Sequence, residues 1–181
     1  MNTITFLKPN LVDIEMISNS KSKIIIQPLE RGFGHTLGNA LRRVLLSSMP
    51  GSAVTEVSID NILHEYSTID GVQEDVLEIL LNIKKLALVL YEKDKIEVVL
   101  RKKGKGPVLA SDIEDHPNLE IKNPDFCIAN MTNDKTELVI NLTISQGKGY
   151  QPAVKRKFNE LEDLGIGKMQ IDASFTPVEK V

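Results

Sequence analysis

Between Arg31 and Asp60 the apolar residues change their period, and that change constrains the fold more than any other feature of the chain. Up to Met49 they recur at helical spacing. Leu37, Leu41, Val44, Leu45 and Ser48 share one stripe, entered through a glycine-rich run with Gly32, Gly34 and Gly38 and stopped by Pro50 and Gly51. After Gly51, Val57 and Ile59 face one way while Glu56, Ser58 and Asp60 face the other, which is the period of a strand. The switch places a lobe boundary at Gly51. The side of the helix opposite its stripe is small and bare: Gly38, Asn39, Arg42 and Leu46 leave a backbone that a second helix can approach closely.

The other elements follow from the same reasoning. Ile24, Ile25 and Ile26 ahead of Pro28 read as a strand, paired across a Ser/Asn/Lys turn with an earlier one at 11–17. Asp70 with Gln73 three residues on reads as an N-cap. Glu74 and Asp75 then fall at the positive end, and Lys84 and Lys85 at the negative end, of a helix over 71–85. Val72, Val76, Ile79, Leu80 and Ile83 give that helix its buried face. The remainder reads as an antiparallel meander. Strands at 86–91 and 96–101 flank a turn at 92–95, Phe126, Cys127 and Ile128 form an apparent strand, and Leu138, Ile140, Leu142 and Ile144 alternate cleanly with polar or smaller neighbours. A loop is expected over 146–165. A last strand carries Met169, Ile171, Ala173 and Phe175 and is broken by Thr176 and Pro177.

A chain of 181 residues can bury a core as one large domain or as two modest lobes. The net charge of -3 offers no general attraction to polyanions, so direct nucleic-acid binding is disfavoured. The lone Cys127 cannot form an internal disulfide and no signal segment precedes the first strand, which points to a reducing cytoplasm. Charges at Glu78, Lys84 and Lys85 interrupt the most apolar window, 76–91, so no membrane span is expected.

Candidate chemistry is sparse. The spacing of Gly32, Gly34 and Gly38 is neither a dinucleotide fingerprint nor a P-loop, so these glycines read as a tight turn and helix packing in preference to a phosphate cradle. His35, His64 and His116 lie in separate segments without partners at metal-ligand spacing, and Ser47 and Ser48 lack a nucleophile elbow. Cys127 reads as a small buried hydrophobe. The basic runs at 101–105 and 155–157 read as a solvated hairpin tip and a charged loop rather than phosphate contacts. Arg42 and Arg43 must point to solvent or to a partner's carboxylates, because a guanidinium is costly to leave unpaired under cover. Tyr66, in the connection that also holds His64, is either an interface anchor or a lid on the core. No catalytic, cofactor or metal site emerges.

The residues from Glu30 to Gly51 (ERGFGHTLGNALRRVLLSSMPG), the run His64-Glu65-Tyr66-Ser67-Thr68, and Gly71 to Lys84 (GVQEDVLEILLNIK) closely resemble the N-terminal domain of the bacterial RNA polymerase alpha subunit. The likeness runs from Phe6-Leu7-Lys8-Pro9 to Phe175-Thr176-Pro177-Val178-Glu179 and includes the loop Gly147 to Pro152 (GKGYQP). The resemblance implies an α+β fold of two lobes. Residues 1–50 and 166–181 would form a discontinuous dimerisation lobe, incomplete at its C-terminal end, into which a mostly antiparallel β lobe with one main helix, residues 51–165, is inserted.

The resemblance further implies a cytoplasmic, non-catalytic assembly scaffold. Its homodimer, or a heterodimer with a paralogue, would bind first the beta and then the beta-prime subunit of the nucleotidyltransferase, without cofactor. Carried over by position, His35, Leu37, Gly38, Leu41, Arg42, Leu45 and Leu46 would form the dimer interface. Arg43, His64, Glu65, Tyr66 and Ser67 would meet beta, Lys84 would meet beta-prime, and Glu160, Glu162 and Asp163 would face an activator. The family's domain continues past the position of Val181 to a further helix and a DNA-binding domain, so no direct DNA binding is expected of these residues.

Overall fold

The computed structural model describes residues 7–154 and 167–181. They fall into two compact units, Met1–Val44 and Leu45–Val181. Phe6, the basic run at 155–157 and the acidic Glu160, Glu162 and Asp163 lie outside the described residues.

In the first unit β1 (Leu11–Ser18) pairs antiparallel with β2 (Lys21–Gln27), as the β-branched run predicts. Register pairs Val12 with Ile26 and Ile14 with Ile24, so these four apolar side chains share one face of the hairpin, while Leu11 and Ile25 lie on the other. Helix α1 (Phe33–Ser47) starts two residues before His35 and stops before Met49, which leaves Ser48 beyond its end. Gly32 sets the entry at φ +88, a left-handed conformation open to glycine without steric cost. Pro50 sets the exit, because proline disfavours helical backbone in the residue before it. No residue of α1 is buried, although its stripe is apolar.

The second unit is built on β3 (Pro50–Ile59), which begins at the proline expected to act only as a helix stop. Its alternation holds, with Val57 and Ile59 buried. Thr55 forms a bulge, and its buried hydroxyl is satisfied by donating to the Thr143 carbonyl at 3.2 Å. Helix α2 (Val76–Ile83) is shorter than the sequence suggests, and its cap is Asp75, not Asp70: the Asp75 carboxylate accepts from the Glu78 amide at 2.7 Å. Tertiary contacts hold the five intervening residues out of the helix. Gly71 takes φ +84, Val72 bridges to Met131, the Gln73 amide donates to the Asn130 carbonyl, and Glu74 clamps Asn130 through both carboxylate oxygens at 2.6 and 2.8 Å. Of the expected inward face Val76, Ile79, Leu80 and Ile83 are buried on the helix, while Val72 precedes it and is half-buried.

The remaining strands are β4 (Leu88–Leu90), β5 (Lys95–Lys103), β6 (Gly106–Leu109), β7 (Leu119–Ile121), β8 (Cys127–Met131), β9 (Glu137–Lys148), β10 (Tyr150–Gln151), β11 (Lys168–Gln170) and β12 (Ala173–Ser174). They do not form the expected meander. The main sheet runs β5-β9-β3-β4-β7, with β11 added to β3, so β4 and β5 are not neighbours. Strands β9 and β3 lie between them, and β9, with Leu138, Ile140, Leu142 and Ile144 all buried, has the twelve residues to satisfy the ladders of both β3 and β5, which the three residues of β4 cannot do.

Two further expectations are corrected in this sheet region. Cys127 is exposed, because a bulge in β8 opposite Val108 and Leu109 turns both Ile128 and Ala129 inward and Cys127 out. The basic run at 101–105 is no hairpin tip: Arg101, Lys102 and Lys103 lie on β5 against β9, Arg101 pairs with Glu137 at 3.4 Å, and Lys102 with Asp112 at 2.8 Å. The expected loop from Gln146 instead begins as the end of β9 and continues as β10.

The last strand keeps its alternation, with Met169, Ile171, Ala173 and Phe175 buried, but splits into β11 on β3 and β12 on β10. Phe175 settles over a bare place in the main sheet. Gly51 and Gly147 stand directly opposite one another in the β3–β9 ladder, and with no side chain at either position the Phe175 ring and carbonyl reach the sheet.

Candidate protein-interaction surface

A turn, a helix and a strand end converge to build an exposed groove in the second unit. After Ile59, Asn61 takes φ +65 and the Ile62 amide donates to the Ile59 carbonyl, which reverses the chain. The Ser67 carbonyl accepts from the Val76 amide at 3.1 Å, and the Ser67 hydroxyl lies 3.1 Å from His64 Nδ1. These bonds fix the segment against the start of α2. Leu63 and Tyr66 are left outside, Tyr66 at 80% exposure, so Tyr66 is no lid on the core.

Helix α2 is apolar on both faces. Its outward side carries Leu77 and Leu81 one turn apart, 43% and 50% exposed. With Leu63 and the edge of Leu80 they line a groove of about 280 Å³, bounded by Glu65, Lys84 and residues 168–172. Fully burying an exposed leucine is worth about 1.5–3 kcal/mol, and these two are half exposed, so covering each gains about half of that.

At one end Lys84, the C-cap of α2, reaches to 3.7 Å from Asp172. Asp172 is itself held: its carboxylate accepts from the Tyr150 hydroxyl at 2.7 Å and from the Ala153 amide at 3.0 Å. The Ala153 amide, then Tyr150 and Lys84, keep this carboxyl below its ordinary range, and the same bond to Asp172 raises the Tyr150 phenol. A depressed carboxyl contributes stability above its unfolded pKa of about 4 and loses it as pH falls through the lower folded value. We therefore expect Asp172→Asn to melt below the unsubstituted chain at pH 7, and the two melting curves to draw together on acidification below pH ~4 as Asp172 protonates. A gap unchanged between pH 7 and pH 3 would contradict this.

Of the residues singled out in the sequence, Glu65 and Lys84 line this groove, and His64, Tyr66 and Ser67 sit on the segment that forms its rim. His35, Leu37, Gly38, Leu41, Arg42 and Arg43 lie on the part of α1 in the first unit, Leu45 and Leu46 on its last turn in the second, and none of them is buried. Leu63, Leu77, Leu81, Tyr150 and Asp172 were not singled out. A signal for the two helical leucines was available, since VLEILLNI carries more apolar residues than one buried stripe needs. Among the described residues no group of histidine, cysteine, aspartate and glutamate side chains is placed to hold a metal, and no helix is long and apolar enough to cross a membrane.

Residues 57–176 match the family model of the RNA polymerase Rpb3/RpoA insert domain, a span that includes the whole groove. The chain belongs to this family. As an Rpb3/RpoA-type chain it is an RNA polymerase subunit with a part in assembling the transcription machinery, a role that is typically non-catalytic. Membership implies binding to other polymerase subunits and dimerisation. The features of the groove suit such work: leucines on firm elements make up one part of its lining, and Glu65, Lys84, Lys168, Gln170 and Asp172 bring polar and charged groups beside them.

Proposed function

We propose that this Rpb3/RpoA-type chain is a bacterial alpha subunit, a cytoplasmic scaffold whose dimer nucleates the core polymerase by capturing beta and then beta-prime. The observation that carries the reading is α1: fifteen residues, an apolar stripe and not one residue buried. A helix of that length is marginal in water without packing, so its stripe needs cover. A second copy supplies that cover, with His35, Leu37, Gly38, Leu41, Arg42, Leu45 and Leu46 at the dimer interface. Beta meets Arg43, His64, Glu65, Tyr66 and Ser67, and beta-prime meets Lys84.

In this reading residues 1–50 and 166–181 belong to the dimer-forming lobe and 51–165 to the inserted one.

Gly38 gives the sharpest test. A Cβ added there meets nothing within 4 Å in the isolated chain, and alanine raises helix propensity by about 1 kcal/mol. Gly38→Ala is therefore expected to leave the fold intact or firmer, yet to weaken self-association at least about tenfold, because a helix packed against that backbone would be pushed away. Sedimentation equilibrium reads both species. Unchanged dimerisation by Gly38→Ala and by Leu41→Glu together would remove α1 from the interface. Arg43→Ala should spare the dimer and weaken co-purification with beta, since an exposed guanidinium contributes little to stability but can anchor a partner.

A further inference from the structure

The groove holds a device that neither its apolar wall nor its family membership explains. Lys84 is a flexible four-carbon side chain at the end of α2, and an unrestrained lysine loses rotamer entropy when a partner fixes it. Here it is partly restrained beforehand. Its ammonium lies 3.7 Å from Asp172, and the Lys84 side chain is 29% exposed. Among the described residues Asp172 is its one acidic partner within 4 Å. An ammonium has three donors, so this loose pairing leaves others for a second acceptor.

Asp172 is well placed to impose that restraint. It lies between β11 and β12, where it is gripped from two directions, by the Tyr150 hydroxyl of β10 and by the Ala153 amide. A carboxylate held by two donors and turned toward a lysine stays where it is when the lysine is approached. Leu63, Leu77 and Leu81 line the same groove, the last two on the helix that Lys84 caps. The other lysine at the groove, Lys168, lies 3.9 Å from Glu97 and is thus shared with a separate acid.

We infer that Asp172 is a positioning residue for subunit capture: Tyr150 and the Ala153 amide hold its carboxylate, which holds the Lys84 ammonium at the groove's edge to meet a carboxylate of the docking subunit. That subunit would present an apolar segment to Leu63, Leu77 and Leu81 with an acidic side chain beside it. The inference rests on the proposed role of Lys84 as a partner contact.

A double-mutant cycle on the whole chain separates the two ideas. Affinity for beta-prime, captured by the preformed complex of this chain with beta, is measured over a range of salt for the unsubstituted chain, Lys84→Ala, Asp172→Asn and the double variant. Lys84→Ala should weaken capture about tenfold and flatten its salt dependence. Asp172→Asn should weaken it about fivefold alone and by nothing further in the Lys84→Ala background, since a residue acting through another is silent once that other is gone. Tyr150→Phe keeps the Asp172 carboxylate and removes one donor. It should give about a twofold loss, again silent without Lys84, and it guards against local unfolding in Asp172→Asn. Losses that multiply in the cycle, or no loss in either Asp172→Asn or Tyr150→Phe, would overturn the positioning role and leave Lys84 as a contact. Full capture by Lys84→Ala would overturn both.

Discussion

Gly51→Ala is expected to lower the melting temperature of the chain by roughly 6–12 °C, the equivalent of about 3 kcal/mol for a protein of this size. The added Cβ would overlap the Phe175 carbonyl, a backbone group that cannot turn aside as a flexible side chain can. Relief requires Phe175 to withdraw from the sheet, and with it β12, whose residues pair with β10. Gly147→Ala tests the same contact from the opposite strand: its Cβ would lie 2.7–2.8 Å from three carbons of the Phe175 ring, which is 3% exposed and has little room to move. By contrast, a Cβ at Gly34 meets nothing within 4 Å, and Gly34→Ala should change the melting temperature little. Scanning calorimetry of the three variants would check the ranking. Equal melting temperatures would mean that the glycine pair is not what seats Phe175.

The second large effect concerns binding. Replacing Leu77 and Leu81 together by alanine should weaken capture of the partner subunit by about two orders of magnitude, or roughly 3 kcal/mol, since both side chains line the groove and neither is buried in the free chain. Alanine also has the highest helix propensity, so α2 should hold and the melting temperature should move by only about 1–2 °C. A neighbouring buried position shows the opposite signature. Ile79→Ala, at 0% exposure, should cost about 2–5 kcal/mol of stability and reduce binding only through unfolding. Quantitative co-purification alongside thermal melts would distinguish the two. Capture at full strength by a folded Leu77→Ala, Leu81→Ala chain would exclude the groove as a docking site.

What the sequence makes legible is what depends on local pattern. The β1–β2 hairpin, the alternation of β9 from Leu138 to Ile144 and the inward face of α2 each follow from side chains a few residues apart. The features it hides depend on distant partners. Asp70 and Asp75 are both acceptable caps locally, and the choice is made by Asn130, which Glu74 clamps from 56 residues away. The meander fails for the same reason, since nothing in 86–101 announces that β9 will take the place beside both β3 and β5. Cys127 is turned out by a bulge that only the β6–β8 register defines. In the groove, Glu65 and Lys84 could be named from a resemblance. Asp172 could not be, because its tie to Lys84 spans 88 positions and rests on where β11 and β12 happen to bring it.

The central place of β9 also has a bearing on how the chain is made. Its partners β3 and β5 emerge from the ribosome well before it, carrying Val54, Val57, Val98 and Leu100, residues that are buried only in the finished sheet. Until residue 148 has been synthesised, those two strands have no middle. Pairings of such long sequence separation close slowly and leave apolar edges uncovered meanwhile. Nascent chains that end before β9 should therefore be the species that chaperones bind, and release should coincide with the arrival of this one strand.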